Sequence, residues 1–165
     1  MASPLPVPIE FRLPDGWRPA PPDEVGASGA AFVALHPEPD AGFTANITID
    51  GEFPPDNVGL PELADESVQR LHEVAESVVV LNRHEVGSEA APALTQRLTF
   101  SAVVGGMRRD LVQSQVYLAM LDVDDPRKRV VIRTYLTATA AQHDTVLPDF
   151  QEFVRTVRPD TGAVP

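Results

Sequence analysis

The chain contains no cysteine, which excludes disulfides, thiolate nucleophiles, Cys-ligated zinc and a lipid-bearing cysteine together. Lysine is nearly missing too: Lys128 stands alone against twelve arginines, a bias associated with high-GC bacteria. No run approaches the roughly 18 to 20 consecutive apolar residues of a membrane-spanning helix, so no membrane insertion is expected. The opening Met-Ala-Ser-Pro-Leu-Pro lacks a basic segment followed by an apolar one, and a cytoplasmic location is expected. Catalytic signatures are absent as well. His36, His72, His84 and His143 form no HxH or HExxH pair, and no GxSxG, GxxxxGKS/T or GxGxxG stretch occurs. Asp122, Asp124 and Asp125 have the look of a calcium loop, but Arg127 and Arg133 stand where that loop needs glycine and glutamate. A charged hairpin tip that resists edge pairing explains them better. Gly105-Gly106 is not followed by a helix whose N-terminus could hold an anion. No enzyme, cofactor or metal site is therefore expected.

Charge is unevenly placed within the net −11. Residues 1–77 hold 14 acidic and 3 basic side chains, whereas 78–165 hold 10 of each. Such a chain has little to neutralise phosphates with, so nucleic acid is not an expected partner. With 165 residues, 43% of them apolar, the chain is long enough for a single domain over 1–165 that buries about 70% of its unfolded surface. The ordered core is expected over about 7–158.

Twelve of the 17 prolines fall in residues 1–61, which restricts the first third to strands and loops. Alternation predicts strands over 9–13, 30–35 and 43–49, the first closed by the turn Pro14-Asp15-Gly16-Trp17. Residues 60–75 switch to a helical period: Leu60, Leu63, Ala64, Val68, Leu71, Val74 and Ala75 form one stripe, with Pro61 in the first turn. Strands resume over 78–86, 93–104, 108–122 and 130–140, with Gly105-Gly106 as a two-residue hairpin turn. A last helix is expected from an Asp144 or Thr145 cap to Arg158-Pro159, its apolar face formed by Val146, Leu147, Phe150, Phe153, Val154 and Val157. The residues after it should fray. The alternation belongs to antiparallel strands, so the class is α+β: six to seven antiparallel strands flanked by helices, in the order β-β-β-α-β-β-β-β-α.

That order, the LPDGW turn after the first strand, the third strand FTANITID and the closing YLTATAAQHD resemble the PsbP-like (Mog/DcrB) fold family, and within it the actinobacterial LpqN-type branch. The similarity spans about residues 7–158. The resemblance implies an α/β/α sandwich in non-enzymatic roles: photosystem accessory proteins, a Ran-binding factor, bacterial lipoproteins and chaperones of type VI secretion. It carries no active-site motif. The lipoprotein branch has a leader and a lipid-bearing cysteine that are not seen here.

In the last strands the even-numbered Val112, Val116, Leu118, Met120, Val130, Ile132, Leu136 and Ala138 are expected to face the core. Thr95, Arg97, Thr99, Gln113, Gln115, Tyr117, Arg133, Tyr135, Thr137 and Thr139 are then expected on one polar face. Tyrosine offers contact area at low entropy cost, and arginine offers a forked donor set. The expected function is therefore recognition of a protein or peptide partner, chaperone- or adaptor-like in a bacterial secretion or envelope system. Its contacts are Arg97, Gln113, Gln115, Tyr117, Arg133 and Tyr135, and a homodimer joined through the sheet or an edge strand is the variant of this reading. Two alternatives compete. A small-molecule carrier needs a pocket between sheet and helix lined by Trp17, Phe43 and Phe150. A hydrolase of unrecognised motif needs His84 or His143 within reach of a Ser, Asp or Glu in a cleft.

Overall fold

The computed structural model describes Leu5 and residues 9–22, 30–55, 57–89, 91–121 and 129–159. The elements are β1 (Ile9–Glu10), β2 (Arg18–Ala20), β3 (Phe32–Leu35), β4 (Asn46–Glu52), α1 (Leu60–Val74), β5 (Glu76–Gly87), β6 (Pro92–Val104), β7 (Met107–Leu121), β8 (Arg129–Thr139), α2 (His143–Thr156) and β9 (Arg158–Pro159). Seven strands form one antiparallel sheet in the order β2-β3-β4-β8-β7-β6-β5, and β1 pairs with β9 beside it. The α+β class and the antiparallel sheet are as the alternation predicts. The charged hairpin tip expected at Asp122, Asp124 and Asp125 and the fraying expected after Pro159 fall outside the described residues.

The predicted first strand shrinks to Ile9–Glu10, and the residues beyond the turn supply the outer strand β2. The turn itself forms: Trp17 N–H donates to the Pro14 carbonyl at 3.2 Å, and Gly16 takes φ +87, which a type II turn requires at its third residue. Gly105 and Gly106 both take positive φ and close the β6–β7 hairpin on the pair Val104↔Met107.

Each helix covers one face of the sheet. On one side Val146, Phe150 and Phe153 of α2 meet Ile47, Ile49, Val130, Ile132, Leu136 and Ala138. Trp17 joins this core and donates its indole N–H to Asp149 at 3.0 Å, tying the first turn to the last helix. On the other side Leu60, Leu63 and Ala64 of α1 pack on Leu94, Tyr117, Ala119 and Val131. Each such side chain taken from water contributes about 1.5–3 kcal/mol before ordering costs. At the start of α1 the Glu62 carboxylate accepts the Gly59 N–H at 2.5 Å, satisfying a donor that the helix leaves orphaned. The predicted stripe is corrected at its end: Ser67 is buried, and Val74 is 76% exposed. The second helix begins one residue before Asp144, with Gln142 at the cap and no side-chain cap bond.

Candidate functional site

The polar side chains predicted to share one face divide between two. A two-residue turn pairs Val104 with Met107, so residues of opposite parity face each other across β6 and β7: Arg97↔Ser114 and Leu98↔Gln113. Arg97, Thr95 and Thr99 therefore project on the α2 side. The β7–β8 register runs odd to odd, with Gln113↔Thr137, Gln115↔Tyr135 and Tyr117↔Arg133. Those residues project on the α1 side.

Beneath α1 they form a closed network. Gln115 Oε1 accepts from Gln96 Nε2 (2.5 Å) and Tyr117 Oη (2.8 Å), while Gln115 Nε2 donates to Ser67 Oγ (3.0 Å) and Gln113 Oε1 (2.6 Å). Tyr135 Oη lies 3.0 Å from Tyr117 Oη and 3.1 Å from Ser67 Oγ. Gln96 also donates to the Ala64 carbonyl of α1 and accepts from Arg83, which pairs with Asp65 of the same helix. Tyr117 and Gln115 are 0% and 1% exposed, so neither offers surface to a partner while α1 is seated. Burial above all, then the neighbouring Tyr135, raises the Tyr117 pKa far beyond the ordinary phenol range. At the rim, burial opposes the Arg133 charge, but Asp50 and then Tyr135 and Glu52 reverse this and leave its pKa raised. Arg133 is ion-paired to both carboxylates. Buried polar groups of this kind are satisfied by one another, and their combined effect is to fix the helix on the sheet. Sequence reasoning overlooked Ser67, Gln96 and Asp65, the three that complete the network. The turn arithmetic at Gly105-Gly106 was the signal that placed Gln96, rather than Arg97, beside Gln115.

On the α2 side the helix stops short of the sheet's far strands. A trough of about 310 Å³ remains, with Asn82 and His84 of β5, Thr95 and Arg97 of β6, and Leu147 and Gln151 of α2 on its walls. It opens toward β5, which ends the sheet and pairs only with β6. Register shifts fall between Glu76 and Val79 and between Val80 and Asn82, and Ser77 takes φ +56. Bulges of this kind blunt an edge, leaving Asn82–Gly87 as its regular stretch. Large exposed hydrophobic side chains gather around it. Among the described residues nine are exposed, and all but Phe53 lie on the end of α1, on β5 or on the β6–β7 hairpin.

No family model and no curated protein matches the sequence. Solved structures do match. LpqN of Mycobacterium tuberculosis, involved in cell envelope biogenesis, superposes with a TM-score of 0.63 at 13% identity over 92% of this chain and 83% of its own. The Ran-binding protein Mog1p of Saccharomyces cerevisiae gives 0.58 at 17% identity, covering 93% and 92%. Cyanobacterial PsbP (CyanoP) of Synechocystis sp. PCC 6803 gives 0.56 at 17%, covering 92% and 86%. The chain has the PsbP-like fold. At these identities the likeness shows architecture alone, and the chemistry must be read from this chain's residues.

Within the PsbP-like sheet one constellation has the connectivity of a hydrolytic triad. Ser114 Oγ lies 2.8 Å from His143 Nε2, and His143 Nδ1 lies 3.2 Å from Asp144 Oδ1. Its setting is wrong for acyl transfer. Ser114 is in the middle of β7, paired to Arg97 on one side and Leu136 on the other, so the neighbouring amides serve the sheet and none is left to hold an oxyanion. The Asp144 carboxylate is 93% exposed and only flanks the ring. Burial, with Arg97's charge acting in the same direction and Asp144 opposing, lowers the His143 pKa. A neutral imidazole thus bolts the start of α2 to β7. His84, the other candidate base, is exposed on β5. The carrier reading meets a different obstacle. Trp17 and Phe150 belong to the core between α2 and the sheet, whereas Phe43 packs with Phe100 and Leu111 in a separate cluster beside Leu71 of α1, so the three are not brought together. Among the described residues no group of three or more metal-ligating side chains converges, and no helix is long and apolar enough to cross a membrane.

Proposed function

We infer that the chain is a non-enzymatic binding protein that captures a protein or peptide partner along the open flank of its sheet, from the β5 edge to the trough beside α2. The observation carrying this reading is the gathering of exposed apolar side chains. Val79, Leu81 and Val86 on β5 are about half exposed, Val103 and Met107 on the hairpin more so, and Val74 at the end of α1 most of all, while elsewhere the described surface holds only Phe53 of this kind. Exposed apolar groups that cluster at an unpaired strand edge are suited to strand addition, in which main-chain hydrogen bonds give affinity and alternate side chains give selectivity. The same edge serves a second copy of the chain, the homodimeric form of this reading. Of the six contact residues expected from sequence, Arg97 stands on this flank; Gln113, Gln115, Tyr117 and Tyr135 belong to the network beneath α1, and Arg133 is ion-paired to Asp50 and Glu52 of β4. Fold likeness to an envelope-biogenesis protein and to a Ran-binding protein supports an accessory role, chaperone- or adaptor-like.

The test is the double variant Val79→Lys, Leu81→Lys in the full chain. Both side chains are exposed, so folding stability should change by no more than about 0.5 kcal/mol. A stoichiometric partner identified by mass spectrometry, or a dimer seen by light scattering, should be lost. The same captured protein and the same mass in both forms would count against the reading.

A further inference from the structure

Among the described residues the Arg97 guanidinium makes no hydrogen bond or ion pair, although Arg97 is half-buried and its charge acts on the nearby His143. The other half-buried arginines are engaged: Arg83 by Asp65, Arg109 by the Ala41 carbonyl, Arg129 by the Val58 carbonyl and Arg133 by Asp50 and Glu52. A chain of net charge −11 does not lack carboxylates to pair with it. Three other surface clefts each include one, Glu10, Asp149 and Glu76 among them. The trough around Arg97 has none on its walls. Besides Arg97 its polar residues are Asn82, His84, Thr95, Gln96, Ser114, Gln115 and Gln151, and of these Ser114 is already spent on His143 while the Gln96 and Gln115 amides are spent in the network under α1.

We propose that this trough receives an Asp or Glu side chain of an acidic peptide segment, with Arg97 as the group that binds the carboxylate. The inference rests on the reading of the chain as a partner-binding protein and names what that partner must present. A planar guanidinium offers five donors in a fork that matches a carboxylate, and a partly desolvated setting strengthens such charge-assisted bonds. The volume suits a side chain with its flanking backbone rather than an extended ligand, and the trough opens onto β5. A segment lying there covers Val79 and Val86 with its own apolar residues while its acidic residue turns in to Arg97, and Asn82, Thr95 and Gln151 are placed to bond its main chain. A small free carboxylate would gain only the single arginine and leave the apolar flank open to water.

The experiment is selection from a phage-displayed library of random dodecapeptides on the full chain, followed by affinity measurement on the enriched sequences. Enriched peptides should share an Asp or Glu between apolar residues. Replacing that residue by its amide should weaken binding to the wild-type chain about tenfold or more, from the loss of a charge-assisted pair. The Arg97→Gln variant should bind acidic and amide peptides equally weakly, and Arg97→Lys should recover part of the preference. The amide comparison alters no residue of the protein, so it stands even if a variant folds poorly. Enriched peptides without an acidic residue, or ones indifferent to Arg97→Gln, overturn the carboxylate assignment and leave partner binding intact. If nothing is enriched, the partner-binding reading fails and this inference falls with it.

Discussion

Replacing Gln115 by leucine separates a contact residue from a structural one. Leucine keeps much of the volume but deletes all four hydrogen bonds of the Gln115 amide. Most of the groups left behind retain a second partner: Gln96 still donates to Ala64, and Ser67 and Tyr117 still meet Tyr135. Only Gln113 Oε1 loses its donor, and Gln113 is half-buried, so water reaches it in part. At about 1 kcal/mol net per hydrogen bond, and with some return from the buried apolar side chain, the cost should be about 2–4 kcal/mol. For a chain of this length that corresponds to a fall in the thermal midpoint of about 5–15 °C. Urea unfolding followed by far-ultraviolet circular dichroism measures it. Trp17, the sole tryptophan, lies under the opposite helix and supplies a second probe. Coincident transitions would show that the whole sheet is destabilised and not α1 alone. A change below about 0.5 kcal/mol would refute the closed network and return Gln115 to the surface role that its sequence position implied.

Two further outcomes follow from the same geometry. The lowered His143 pKa means that the unfolded chain binds the proton more readily, so stability should be full above the ordinary value of 6.5 and decline as pH falls through and below it. His143→Gln should flatten that part of the pH profile measured by urea midpoints, and an unchanged slope would show that the ring is solvated. Arg133→Met should lower stability by about 1–3 kcal/mol, because Asp50 and Glu52 lose their common cation at a partly buried site. An unaltered melting curve would show that the pair is screened as at an open surface.

Much of the architecture was legible in the sequence because alternation and turn chemistry are local. The strands β5 to β8 begin and end within about two residues of their predicted limits, and the Pro14–Trp17 turn and the Gly105-Gly106 hairpin form as their residues require. The site was less legible. Odd-numbered Gln115, Tyr117 and Tyr135 look like a solvated face when each strand is considered singly, since glutamine and tyrosine carry no mark of who satisfies them. The covering helix closes the question through Ser67 and the Ala64 carbonyl, groups that a hydrophobic stripe does not weigh. Arg97 was expected on the same face as Gln115 and Tyr117 but stands on the opposite one, because one turn of even length reverses the parity between neighbouring strands. The weak edge β5 was read as a strand but not as an edge, since strand order depends on pairing across the whole chain.

That order has a consequence for the newly made chain. Strand β4 finds its second neighbour in β8, where Asn46 meets Thr137 and Glu52 meets Val131. As synthesis proceeds from the N-terminus, β2, β3 and β4 must wait for the last long strand before they can join the main sheet, whereas β5, β6 and β7 can zip together as consecutive neighbours. The proline-rich, acidic first third is thus the part that emerges earliest and docks latest. Its charge and its prolines suit it to that interval, keeping it from pairing with other nascent chains until β8 arrives.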